Sequence, residues 1–76
     1  MPELSEQQTK AFRVIVDYYE KHGFPPTQEE IATQLNIGRS TAREHLDALE
    51  KKGYISRDNA RNMIQILISY HEASIL

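Results

Sequence analysis

No cysteine occurs in the 76 residues of this chain. Disulfides and thiolate metal ligands are therefore unavailable, and a reducing compartment suits the protein. No apolar run approaches the ~20 residues of a membrane span. The leading MPELSEQQ lacks the basic and apolar regions of a secretory signal. Histidine is scarce and scattered: His22, His45 and His71 show no ligand spacing and no suitably placed acidic partners, so no metal or other cofactor is expected. No nucleophile, base and orienting group fall together, and so small a domain has little room for a deep pocket. An enzyme is not expected, nor a small-molecule ligand. Positive charge is also short, with a net charge of −2. The length suits one small domain near the lower limit for folding without staples, and a cytoplasmic location is the default.

Residues 27–54, TQEEIATQLNIGRSTAREHLDALEKKGY, carry the most information. Ile31, Ala32 and Leu35 recur at helical spacing, and Ala42, Leu46 and Leu49 resume the same period. Between them stand Asn36-Ile37-Gly38, where Asn and Gly both tolerate the left-handed backbone of a sharp helix-to-helix turn. Ala32 is small enough for two helices to cross steeply beside that turn. The pattern is a helix-turn-helix, whose second helix can lie in the major groove of DNA. Opposite its apolar stripe that helix carries Ser40, Arg43, Glu44 and Asp47, with Arg39 at its leading end.

An earlier helix begins at Ser5, where Ser5-Glu-Gln-Gln8 forms a capping-box pattern. Its stripe is Phe12, Ile15, Val16 and Tyr19, and Gly23 ends it. Pro25-Pro26 forces an extended segment, after which Thr27-Gln-Glu-Glu30 reads as a second capping box. Lys51-Lys52-Gly53 closes the third helix. After Gly53 the period changes from helical to alternating. Tyr54-Ile55-Ser56-Arg57 reads as a strand and residues 63–68 as its partner, joined by the polar loop 58–62. The expected fold is mainly α with a small β-hairpin, a three-helix winged helix-turn-helix over residues 1–68. Residues 69–76 form a tail whose pattern fits no single structure.

Charge is unevenly placed. Residues 39–61 hold six cations against four carboxylates, whereas residues 1–38 hold three against six. The positive segment is the one that would face DNA. Arg43 is suited to reading a guanine edge, and Arg39, nearer the turn, to meeting the backbone. Glu44 can accept from a cytosine amino group or remain solvated, and Ser40 and Thr41 are contacts of low specificity. Thr27 and Gln28 open the second helix, where free amides can meet a phosphate or Thr27 can serve as a cap. Arg57 and Arg61 flank the hairpin, where cations serve DNA or discourage pairing of exposed strand edges.

HGFPPTQEEIA at residues 22–32 and EHLDALEKKGYI at residues 44–55 are the most specific parts of a wider likeness over residues 4–68. There the chain resembles the N-terminal DNA-binding domain of the LexA repressor family. Asn36 stands where helix-turn-helix proteins usually carry glycine. The resemblance implies a dimeric transcriptional repressor with its third helix in the major groove and its wing on the backbone or minor groove. It implies base-edge positions for Ser40, Thr41, Arg43 and Glu44, and wing positions for Asn59, Arg61 and Asn62. It does not extend to that family's self-cleaving peptidase domain. The expected partner is double-stranded DNA, read as an inverted repeat by a homodimer, for which the tail residues Tyr70, Ala73, Ile75 and Leu76 are spare apolar material. The competing expectation is a winged helix that binds another protein through the same surface, which the net charge of −2 favours.

Overall fold

The chain forms three helices followed by a hairpin: α1 (Glu6–His22), α2 (Gln28–Leu35), α3 (Arg39–Lys51), β1 (Ile55–Asp58) and β2 (Met63–Ile66). The structure is a computed structural model that describes residues 3–58 and 63–67. Asn59, Arg61 and Asn62 of the wing, and the whole tail, lie outside the described residues.

Each helix begins and ends for a local reason. Ser5 caps α1: its hydroxyl accepts the Gln8 amide at 3.2 Å, and Gln8 Oε1 accepts the Ser5 amide at 3.0 Å. Gly23, at φ 80°, turns the chain out of α1 while its amide bonds the Tyr19 carbonyl. That is a left-handed cap closed by a single bond. Thr27 caps α2, accepting the Glu30 amide at 3.2 Å and donating to the Glu30 carboxylate at 3.1 Å. At the end of α3, Gly53 lies at φ 86° and two reverse bonds form, Gly53 N–H to Glu50 O and Tyr54 N–H to Leu49 O. This Schellman closure drops Tyr54 into the core, where its ring meets Phe12 edge-on at a centroid distance of 5.2 Å.

The core lies where the three helices and the hairpin converge. Phe12, Ile15, Ile31, Leu46, Leu49 and Ile55 are its largest fully buried side chains. β1 and β2 pair antiparallel with Ile55 opposite Ile66 and Arg57 opposite Ile64. Alternation therefore puts Ile55, Arg57, Ile64 and Ile66 on the face turned toward the helices. Lys52 ties the two ends of the helical layer together, donating to Glu3 O at 2.8 Å and Gln8 Oε1 at 2.7 Å.

One expectation fails here, and the turn between α2 and α3 decides between its two candidate residues. Tyr19 is 48% exposed rather than part of the stripe. It sits one turn past the core, on the rim of a groove between α1 and the hairpin. Gly38 does not use the left-handed region; at φ −73° and ψ 161° it is the extended N-cap of α3. The whole left-handed turn falls on Asn36, at φ 55° and ψ 47°.

Asn36 is therefore a sensitive position. A residue without asparagine's short, locally hydrogen-bonding side chain loses up to about 1–2 kcal/mol in that conformation. Asn36→Ala is expected to lower the urea midpoint accordingly, and Asn36→Gly to hold or raise it. Equal midpoints for Asn36→Ala and wild type would show that the turn does not constrain the fold.

Candidate nucleic-acid interface

The turn between α2 and α3 determines which face of α3 is exposed. Asn36 N–H bonds Thr33 O at 3.2 Å and Ile37 N–H bonds Ala32 O at 3.0 Å, a second Schellman closure. Half-buried Ile37 packs against the core behind the turn. Ala32 and Ala42, 6% and 0% exposed, let the helices approach there. With Ala42, Leu46 and Leu49 buried, the opposite side of α3 faces solvent. At ~100° per residue, Ser40, Glu44 and Asp47 form the centre of that outer side, with Arg43 and Thr41 on its flanks. All five are exposed. Among the described residues, Ser40, Thr41, Arg43 and Glu44 have no side-chain bonding partner.

Other residues expected at the interface have partners. The Arg39 guanidinium lies 3.2 Å from the Glu29 carboxylate, both side chains being 71% exposed. So exposed a pair contributes little to stability. Gln28 Nε2 donates to Arg39 O at 3.2 Å, which stitches the start of α2 to the start of α3. The expected role of Gln28 is thus joined by a structural one that spacing alone does not reveal. Thr27 is occupied as the cap of α2, the second of the two roles open to it. The amides at that helix start stand beside Glu29 and Glu30, whose charge complements the helix dipole but repels a phosphate. Arg39 offsets one of the two.

Arg57 departs furthest from its expected position. Its guanidinium reaches across from β1 to α3, bonding Asp47 and bonding Glu50 Oε1 at 2.8 Å. Its Nε donates to the same Glu50 oxygen at 3.2 Å, and its own amide to Glu50 Oε2 at 3.3 Å. Desolvation works against the charged guanidinium, yet the bonds to Glu50 and Asp47 outweigh it and raise the pKa. The expectation for Arg57 is a hairpin cation that serves DNA or discourages edge pairing. Its alternation on β1 with buried Ile55 is the signal in the sequence that it turns toward the helices.

The Tyr18 hydroxyl on α1, facing the Glu30 carboxylate of α2, holds it with the Thr27 hydroxyl below the usual glutamate range. Tyr18 in turn is pushed up by that carboxylate. Among the described residues no cluster of potential metal ligands occurs, and no helix is long and apolar enough to cross a membrane.

Comparison with known proteins gives a consistent set of matches. The family model described as LexA DNA binding domain matches residues 1–62. The LexA repressor of Thermotoga maritima is 46% identical over 61 residues, 80% of this chain and 31% of that protein. The LexA repressor of Citrifermentans bemidjiense is 39% identical over 77 residues, covering 100% of this chain and 38% of that protein. The LexA repressor of Anaeromyxobacter dehalogenans is 45% identical over 64 residues, 82% of this chain and 28% of that protein. The chain thus spans about a third of the length of these relatives. The matched family is a DNA-binding domain, not an enzyme.

The depressed Glu30 carboxyl beside Tyr18 predicts a pH dependence. A carboxyl with a depressed folded pKa stabilises above its unfolded value and loses that contribution as pH falls through the folded one. Tyr18→Phe is expected to destabilise the protein at neutral pH, with the gap to wild type closing as acid protonates Glu30. NMR titration should show the Glu30 pKa moving up in Tyr18→Phe. An unmoved titration would remove Tyr18 as the cause.

Proposed function

Because the chain belongs to the LexA DNA-binding domain family, we propose that it binds double-stranded DNA sequence-specifically and represses transcription. In this reading α3 enters the major groove while the hairpin wing approaches the backbone or minor groove. One observation carries it: Ser40 and Glu44 at the centre of the outer side of α3, with Thr41 and Arg43 on its flanks, are exposed and unpartnered among the described residues, away from buried Ala42, Leu46 and Leu49. A helix so arranged can place several donors and acceptors against base edges at once. The similarity to LexA repressors supports the repressor role.

Arg43 is the principal base reader, bidentate to guanine. Glu44 accepts from a cytosine amino group, and Ser40 and Thr41 add hydrogen bonds of lower specificity. Arg39 meets the phosphate backbone, from which it also shields Glu29. Thr27 and Gln28 present the start of α2 to a phosphate. Asn59, Arg61 and Asn62, outside the described residues, are the wing's contacts. The protein acts on the nucleoid as a homodimer at an inverted repeat, since one recognition helix covers few base pairs and the chain's cationic excess is small. Exposed Tyr19 and Leu67 add apolar surface on the groove between α1 and the hairpin for such a contact.

Selection of bound sites from a random duplex pool, followed by salt-gradient retention on the selected DNA, tests this reading. Passage through the column at low salt would favour a protein partner for the same surface. On a selected site, Arg43→Ala should cost about 1–3 kcal/mol and relax preference at one base pair. Equal losses on selected and random DNA would make Arg43 a phosphate contact. Two half-sites about 34–36 Å apart, or at another spacing set by the dimer, should bind more tightly than one. A palindrome held no better than a half-site, by a chain that sediments as a monomer, would end the dimer model.

A further inference from the structure

The outer side of α3 carries a liability that its DNA-facing role has to overcome. Between residues 39 and 51 it has three cations, Arg39, Arg43 and Lys51, balanced by three carboxylates, Glu44, Asp47 and Glu50. Glu44 faces base edges, where a carboxylate has a use. Asp47 and Glu50 lie further along the helix, 55% and 40% exposed, where the phosphate backbone would pass. A carboxylate there opposes binding, because like charges brought together across an interface are costly.

Both are held by one residue. Arg57, only 21% exposed, bonds Asp47 and Glu50 with the same Nη2 and clasps Glu50 again through Nε and its backbone amide. It comes from a different element, on the strand face that also carries buried Ile55 and Ile64. The exposed Arg39–Glu29 pair has one ion-pair contact and no such enclosure. The multiple bonds to two acids favour retention of this geometry over release of the guanidinium to a phosphate.

We propose that Arg57 is not a phosphate ligand but an intramolecular counterion that masks Asp47 and Glu50 where α3 meets DNA and fixes the wing beside that helix. The proposal rests on the DNA-binding reading above and deepens it. Arg57 is then a positioning residue: it governs affinity through two carboxylates rather than through its own contact. It lowers the net charge of the Asp47–Glu50 cluster from −2 to −1 without adding an exposed cation. It also holds the end of β1 beside α3.

The test compares the loss caused by Arg57→Gln in two backgrounds, wild type and the Asp47→Asn/Glu50→Gln protein, on a duplex selected with the wild-type chain. In wild type, Arg57→Gln should weaken binding by about tenfold on every sequence alike. With both carboxylates neutralised, the same change should cost less than about twofold, because nothing remains to mask. A phosphate ligand behaves oppositely: freed from its acids, Arg57 would matter as much or more in the neutral background. An undiminished tenfold loss there overturns the inference alone. A wild-type chain that retains no duplex overturns the proposed function and this inference with it. The positioning half is read without DNA. Arg57→Gln should reduce hydrogen-exchange protection of the β1–β2 amides while leaving the centre of α1 protected; unchanged hairpin protection overturns that half.

Discussion

A single left-handed residue, Asn36, carries the geometry on which the interface depends. Its φ of 55° lets the chain reverse between α2 and α3 within a few residues. The two reverse hydrogen bonds of that turn pull half-buried Ile37 against the core. With the reversal so tight the helices cross close to it, and that crossing tolerates only small side chains such as Ala32 and fully buried Ala42. Once Ala42, Leu46 and Leu49 are inward, the opposite row of α3 has to be outward, because a helix offers no other arrangement of those positions. The exposed interface is in this sense a by-product of burial on the other side.

Around that helix, electrostatics is arranged by pairing rather than by excess. A net charge of −2 would ordinarily weaken association with a polyanion. Carboxylates near the interface are met by cations from neighbouring elements, Arg39 against Glu29 and Arg57 against Asp47 and Glu50. Each pair also joins two elements. The first brings the N-terminal ends of α2 and α3 together, beside the Gln28 bond to Arg39 O, and the second fastens the hairpin to α3. The two differ in energetic weight, since attraction falls from about 4 to about 1 kcal/mol when a charge pair moves from a partly screened site into bulk water. The half-enclosed Arg57 cluster therefore outweighs the exposed Arg39 pair.

The legible features share one property: they depend on residues a few positions apart. Ser5 with Gln8, Thr27 with Glu30, and the glycines at 23 and 53 mark helix ends through bonds within one turn, so composition and spacing reveal them. The alternation after Gly53 reveals the hairpin for the same reason. Misreadings arose where a position's fate depends on a distant element. Tyr19 fits the helical stripe perfectly well, yet the hairpin does not cover it. Gly38 looks like a second left-handed residue, yet Asn36 alone completes the reversal. The partners of Gln28, Arg39, Lys52 and Arg57 are separated from them by many residues and are invisible in any local window.

What the amino-acid order determined by itself is the set of elements, their caps and the apolar face of each, because those follow from periodicity and short-range hydrogen bonding. It also determined which face of α3 is polar. Only the tertiary structure decided which of those polar side chains remain unpartnered. Arg43 and Arg57 are the same residue type in the same cationic segment, and no pattern in the sequence ranks one above the other as a contact. Packing of β1 against α3 brings Arg57 against two carboxylates, while exposed Arg43 makes no side-chain bond to a described residue. Charge is written in the chain, but its availability depends on what the fold places within about 4 Å of it.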